Sequence, residues 1–347
     1  MKATLHEIAV RAKVSRMTVS RVMNRPDAPG TSPATRKRIL EIARELNYQP
    51  NIAAKGLTLG KTFLVGVMHS GVNFELLTEL ASGIQRPLVS SGYAPVALTH
   101  RTVEEEAENL RLCMARRVDG LIVNPLVNFD QPNTKLYAEL AGGTPLVEMN
   151  GRYLPGVPHV TVDFFEAGRL ATLAAVEKGF DNVVLYIHDH YAKGGEGADP
   201  ACRLFWNARD FYDGYTAAMK EAGLEPRVET YRLSTNLSKP GEAYASAFDS
   251  AGAMLKSIAD EATSIVCLYD EAAMAVARSV ERQGSRKRIL ISGTGVGWAQ
   301  QQYPQLVQIL KLPLEQVGSE AVRMVLERIE GKEVESVAVK PQTERQG

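Results

Sequence analysis

The chain lacks any run of ~18 apolar residues and any charged-then-apolar leader; it opens Met1-Lys2-Ala3-Thr4-Leu5-His6-Glu7. No membrane span and no export signal is expected, and the place of action is read as the cytoplasm. Cysteine is scarce. Cys113, Cys202 and Cys267 are odd in number, far apart and without a C-x-x-C pair, which excludes a disulfide framework and a cysteine zinc site and leaves them as core fillers. Neither a Ser-His-Asp arrangement nor a G-x-S-x-G turn is present, so nucleophilic hydrolysis has no support, and no cofactor is expected. The final KPQTERQG carries no Leu heptad, which argues against a tetramerising tail. Net charge is missing as well, with 40 Lys and Arg against 40 Asp and Glu.

What is there is substantial. The 347 residues, 45% hydrophobic and 23% charged, suffice for a large core in two to three domains. The zero net charge hides a basic head: residues 1–61 hold 12 Lys and Arg against 4 Asp and Glu, so they carry +8 and the remainder −8. A polyanion partner for the head follows, because Lys and Arg that displace counterions from phosphates supply most sequence-independent affinity. A charge run alone reads as a solvated face; its placement around the pattern described next reverses that weighting.

Thr4 and Glu7 form a capping box before an apolar face of Leu5, Ile8, Ala9 and Ala12. After a turn at Ala12-Lys13-Val14, Ser15 caps a second helix, Arg16 to Met23, whose Val19, Val22 and Met23 point inward. A third helix, Thr35 to Leu46, buries Ile39, Leu40, Ile42, Ala43 and Leu46. Three short helices close one small core and leave Arg16, Met17, Ser20 and Arg21 outside. The second helix is therefore the reader. Arg16 and Arg21 are candidates for guanine edges, Met17 either touches a thymine methyl or packs, and Thr18, Ser20 and Arg36 position phosphates. Thr4, Ser15 and Asn24 complete the candidate contacts of the head.

The pattern T-L-x-x-I-A-x-x-A-x-V-S-x-x-T-V-S-R-V-x-N, followed by T-R-x-x-I and L-N-Y-x-P-N, resembles the lac-repressor (LacI) family of bacterial transcription regulators. The match is dense over residues 4–57 and looser beyond, and the turn at residues 24–32 is longer than the family's usual one. The resemblance implies that Asn51 to Leu57 is a hinge helix, ordering on operator DNA, with Leu57 as a wedge in the minor groove and Asn51, Ala54 and Lys55 beside it. Gly56 works against that helix, because Gly costs a helix interior ~1 kcal/mol relative to Ala. A weak helix without DNA is the expectation; the bland alternative is a Gly-punctuated linker.

From Phe63 onward apolar strand runs alternate with amphipathic helices: FLVGVMH, APVALTH, DGLIVNPL, TPLVEMN, HVTVDF, NVVLYIH, RVETYRL, SIVCLYD and RILISG. This is the signature of doubly wound parallel sheets, and about ten strands suit two lobes better than one. The fold class is thus a small all-α helix-turn-helix head (1–50), a hinge (51–61) and a two-lobe α/β core (62–340). The resemblance implies a periplasmic-binding-protein-like clamp with three crossovers, lobe 1 at about 62–177 and 312–338 and lobe 2 at about 178–311. It also implies a homodimer on a near-palindromic operator, controlled by a small effector, a sugar or a related metabolite, between the lobes.

Ligands of open α/β sheets sit beyond the carboxyl ends of the strands. That rule selects Ser70, Asn73, Phe74, Asn124, Asn150, Arg152, Asp163, Glu166, Asn236 and Asp270, each of which reads otherwise as a strand-end cap. On the resemblance Phe74 is at the effector-stacking position, and Asp270 is the Asp of an N-D motif in which Tyr269 replaces Asn. Two departures stand out. The family's R-x-x-G-[FY] turn is Arg209-Asp-Phe-Tyr-Asp-Gly214-Tyr215 here, with Arg209 two positions early. Its G-[FY]-D-[DN] element is Gly293-Thr-Gly-Val-Gly-Trp298, without the Asp, so that Trp298 either stacks on ligand or packs. Two other function classes remain in view. A nucleotide-dependent enzyme draws on GTGVG after a strand, which lacks G-x-G-x-x-G spacing, and a solute-binding protein shares the clamp but has no use for a basic head. His188 and His190 have the spacing of a metal pair without a third ligand, and are read as surface histidines.

Overall fold

The computed structural model describes residues 3–24, 29–49, 51–70, 74–126, 133–189, 206–232, 242–258, 262–284 and 288–341. The chain divides into two compact units, Met1–Phe63 and Leu64–Gly347. In the first, α1 (Leu5–Ala12) and α2 (Arg16–Asn24) are crossed by α3 (Pro33–Glu45), and a fourth helix, α4 (Ile52–Leu59), follows. Ile8, Ala9, Ala12, Val19, Val22, Ile39 and Ala43 form the core, with Leu5, Val14, Met23, Leu40, Ile42, Leu46 and Tyr48 packed on it. Lys13, left-handed at φ 53°, makes the turn after α1, and its N–H bonds back to Ala9 and Val10. The third helix starts two residues earlier than its periodicity predicts, because Ser32 accepts a bond from the Thr35 N–H and Pro33 fits the first turn.

The second unit holds two parallel sheets. Strands β1 (Leu64–Ser70), β2 (Ala94–His100), β3 (Gly120–Asn124), β4 (Leu146–Met149), β5 (His159–Val162) and β11 (Val337–Val339) make the first, in the order β11-β5-β4-β3-β1-β2. The second is β10-β9-β8-β6-β7, built from β6 (Asn182–His188), β7 (Arg227–Tyr231), β8 (Thr263–Cys267), β9 (Ile289–Gly295) and β10 (Val307–Lys311). The helices between them are α5 (Phe74–Ser90), α6 (Val103–Arg116), α7 (Thr134–Ala141), α8 (Phe164–Val176), α9 (Trp206–Glu221), α10 (Glu242–Ser257), α11 (Asp270–Gln283), α12 (Trp298–Gln302) and α13 (Leu314–Ile329). Among the described residues no helix is long and apolar enough to cross a membrane.

The lobe boundary differs from the sequence reading. Helix α8, placed there in lobe 1, packs on α9 and against β9 of the second sheet. Glycines set this pairing: a Cβ on Gly168 would stand 2.2 Å from the Phe211 carbonyl oxygen, and one on Gly214 would stand 1.9 Å from that of Phe165. The first crossover therefore falls at Asp163, between β5 and α8, and the chain returns after β10 through Pro313 into α13, which packs on α5 and the first sheet.

Lobe 1 contains a buried polar knot. Glu106, 2% exposed, accepts from the Leu126 N–H, the Asn133 amide and the Tyr137 hydroxyl, each at 2.7 Å. His100, fully buried, has Nε2 3.4 Å from the same carboxylate. Burial, with His69 nearby, lowers its pKa from 6.5 to about 4, while Glu105 pulls weakly the other way. The unfolded chain then takes up the proton first, so stability is full above pH 6.5 and is lost as pH falls through about 4. The loss amounts to about 3 kcal/mol. Urea unfolding at several pH values checks this: His100→Gln should flatten the acid limb, and an unchanged slope would assign that limb to other groups.

Candidate nucleic-acid interface and inter-lobe site

In the head, caps fix the reading surface. Thr4 Oγ1 accepts from the Glu7 N–H at 3.2 Å, and Ser15 Oγ accepts from the Thr18 N–H at 3.1 Å while sharing a 2.9 Å hydroxyl bond with Thr18 Oγ1. These two hydroxyls thus define where α2 begins. Arg16, Met17 and Arg21 are exposed on α2, Met17 at 72%, and Thr18, Ser20 and Arg36 are half-buried. Arg21 leans over the turn at Gly30, where a Cβ would lie 3.1 Å from its guanidinium. Asn24 ends α2, and its side chain lies outside the described residues.

The helix read at Asn51 to Leu57 is present and runs two residues further. Asn51 Oδ1 caps it through the Ala54 N–H at 3.2 Å, and Gly60, left-handed at φ 65°, ends it. Ala54 is exposed and Leu57 stands 89% exposed, an apolar side chain with no core to serve. Lys55 turns back over the Phe63 ring, 4.9 Å from its centroid. Gly56 has a different role from the helix-weakening one its sequence suggests. It is buried, its carbonyl accepts from the N–H groups of Gly60 and Lys61, and a Cβ there would lie 2.2 Å from the Lys61 carbonyl oxygen.

In lobe 1 the strand ends are knitted together. Ser70 donates to Asn124 Oδ1 at 2.9 Å, and the Asn124 amide donates to the carbonyls of Met149 and Asn150 at 3.1 and 3.4 Å. Asn150, at φ 54°, bends the chain out of β4. Glu148, fully buried, then holds the next turn by accepting from the N–H groups of Tyr153 (2.7 Å) and Leu154 (2.9 Å). Burial pushes its carboxyl up to about 7 against the pull of those two donors. Arg152 leaves this turn toward lobe 2, where its Nη2 meets Asp210 Oδ2 at 2.7 Å and its guanidinium lies 4.4 Å from the Trp206 ring centroid. Phe164 meets Trp206 and Tyr269 edge-on, at 5.6 and 6.1 Å, and Asn207 donates to the Tyr269 hydroxyl.

Other candidates do not join this set. Asp270, 4% exposed, is committed to its own lobe: its carboxylate accepts from the N–H groups of Val296 (2.6 Å), Gly297 (3.1 Å) and Ala299 (3.0 Å). The middle glycine of GTGVG follows from that clasp, since a Cβ on Gly295 would fall 2.0 Å from Asp270 Oδ2. The anion seated on this loop is the protein's own carboxylate, which removes the motif's support for pyrophosphate binding. Trp298 packs half-buried on the lobe 2 core. Arg209 pairs with Asp213 at 3.0 Å along α9, and the family's Arg position holds Phe211, which is fully buried. Asp163 caps α8 through the Glu166 N–H, and Glu166 pairs with Arg169 at 3.1 Å. His188 is buried edge-on to Tyr231 rather than at the surface. Asn73, His190 and Asn236, with the Phe74 side chain, lie outside the described residues. Trp206, Asn207 and Asp210 were not singled out from sequence, because they lie on a helix rather than at a strand end; the scarcity of tryptophan, two in the chain, was the available signal.

Residues 4–51 match the family model "Bacterial regulatory proteins, lacI family", and residues 74–343 match "Periplasmic binding proteins and sugar binding domain of LacI family". The chain belongs to the lacI family. Among curated relatives of this regulator, the HTH-type transcriptional regulator RegA of Clostridium saccharobutylicum is 26% identical over 96% of this chain and 95% of its own. Catabolite control protein A of Priestia megaterium is 25% identical over 98% and 96%. Among solved structures, a lac repressor dimer bound to operator and the anti-inducer ONPF superposes with a TM-score of 0.71 at 20% identity, covering 98% and 97% of the two chains. A transcriptional regulator CelR–cellobiose complex gives 0.60 at 23% identity, also over 98% and 97%. The lacI-family regulator described here is thus a DNA-binding transcriptional regulator with a helix-turn-helix head and a two-lobe core.

Proposed function

We propose that the protein is an operator-binding repressor that works as a dimer in the cytoplasm, without catalysis. A small polar effector, a sugar or related metabolite, binds between its two lobes and changes operator affinity. The observation that carries this reading is the head's exposed surface: Arg16, Met17 and Arg21 on one capped helix, and Leu57 on the next. One short reading helix covers a half-site, so two-fold symmetry matches a near-palindromic operator. Relatives support the pairing of functions, one solved with operator DNA as a dimer and one with cellobiose. Residues 51–61 serve as the hinge, and the effector changes operator affinity by binding the two lobe arrangements unequally.

The test is selection of the protein's preferred duplex from a random-sequence pool, followed by binding of Arg21→Ala to that duplex and its single-base variants. A base-reading Arg21 should lose ~1–3 kcal/mol and relax specificity at one position. A uniform loss across all variants would make it a phosphate contact, and failure to enrich any sequence would sink the operator reading. A thermal-shift screen of sugars, polyols, nucleosides and phosphorylated metabolites tests the effector half separately.

A further inference from the structure

Arg152 leaves lobe 1 from a base that is itself fixed. Glu148 grips the flanking N–H groups of Tyr153 and Leu154, and Gly151 leaves no space beside it, since a Cβ there would lie 2.5 Å from Glu148 Oε1. On lobe 2, Trp206 and Asp210 are four residues apart and share one face of α9. A single guanidinium can use both, laying its plane on the indole and its N–H edge on the carboxylate, which an ammonium group cannot do as well. The distances match that use: 4.4 Å to the ring centroid and 2.7 Å to the carboxylate oxygen. Trp206 is 8% exposed and braced edge-on by Phe164. Helix α9 is joined to α8 by the backbone approaches at Gly168 and Gly214, and α8 is capped by Asp163, where the chain crosses between lobes. A pull on α9 is thus carried directly to the crossover.

We propose that Arg152 is a latch between the lobes, holding them in the arrangement seen here through Asp210 and Trp206, so that its release frees lobe 2 to turn about the crossovers at Asp163 and Pro313. The latch goes beyond the effector reading and depends only on the two-lobe core. A ligand entering the seam acts on it by competing for Arg152 or for Asp210.

The experiment measures the lobes themselves, with neither effector nor DNA present. Nitroxides at Lys135→Cys on α7 and Lys220→Cys on α9, both exposed positions, are placed in a Cys202→Ser background and diluted with unlabelled chain. Electron–electron resonance then reports the distance distribution within one chain. Arg152→Ala should shift the ratio of latched to released distances roughly tenfold, and Arg152→Lys, which keeps the charge and loses the planar stack, by less. Asp210→Asn approaches the same contact from the other lobe and should also broaden the distribution. Far-ultraviolet circular dichroism confirms that each variant is folded. Distributions of Arg152→Ala and Asp210→Asn that superpose on the parent would overturn the latch, while leaving the effector and operator readings standing.

Discussion

Replacing Glu106 by Ala is expected to lower the stability of the two-lobe unit by about 3–5 kcal/mol, because three donors lose one acceptor at ~1–3 kcal/mol each. That is a large part of the ~5–15 kcal/mol available to a folded domain. Three donors are stranded together. The Leu126 N–H and Tyr137 hydroxyl both point at Oε1, and the Asn133 amide points at Oε2. Each buried donor left without an acceptor costs about 1–3 kcal/mol, and Asn133 and Tyr137 are only 5% and 4% exposed. Glu106→Gln sharpens the argument. Its oxygen can replace Oε1, but its NH2 then faces the Asn133 amide. Asn133 cannot simply flip, because the same amide nitrogen also donates to the Val103 carbonyl at 2.9 Å. Gln should therefore cost about one bond, less than Ala. Urea unfolding followed by circular dichroism gives the order; an Ala variant within about 0.5 kcal/mol of the parent would show that the knot is solvated. The functional interest lies in position, since Leu126 follows the carboxyl end of β3, where a ligand of this sheet would bind.

The sequence was most readable where a local rule sufficed. Helices α1 and α2 announced themselves through Thr4, Ser15 and a 3.6-residue apolar period. Strands β10 and β11 were overlooked for a physical reason: they are five and three residues long and lie at sheet edges, where half-buried side chains blur the apolar signal. The lobe boundary was misplaced because the decisive contacts, Gly168 on Phe211 and Gly214 on Phe165, join residues more than 40 positions apart. The site shows the same division. The strand-end rule pointed to Ser70, Asn124, Asn150 and Arg152, of which the first three are hydrogen-bonded to one another, but it could not tell which groups still had hydrogen-bonding capacity. Asp270 looks in sequence like a ligand-facing acid, and only its amide partners, 26 to 29 residues on, show that it is a clasp. The lobe 2 side of the seam that remains is aromatic, with Trp206, Phe164 and Tyr269. The sugar-type contacts implied by the family motifs are altered there, which is why the effector screen must extend beyond hexoses.

Gly56→Ala separates local propensity from tertiary packing in the hinge. Propensity alone says the change helps, since Ala is favoured over Gly by ~1 kcal/mol in a helix interior. The fold says the opposite. The new Cβ would stand 2.2 Å from the Lys61 carbonyl oxygen, a backbone atom that no rotamer change can move aside. Relief requires the chain after Gly60 to swing away, which gives up the bonds from the Gly60 and Lys61 N–H groups to the Gly56 carbonyl and shifts Phe63 from under Lys55. Two capping bonds at ~0.5–1.5 kcal/mol each outweigh the gain in propensity. The expected result is a loss of tenfold or more in affinity for the selected operator, with binding to non-specific duplex nearly unchanged, because the wedge proposed at Leu57 requires the helix carrying it to be set at a defined angle. Ala54→Gly is the matched control: it lowers propensity by the same ~1 kcal/mol on an exposed face and leaves the closure at Lys61 intact, so it should cost less than Gly56→Ala. Tighter operator binding by Gly56→Ala than by the parent would refute the steric argument and return the hinge to propensity alone.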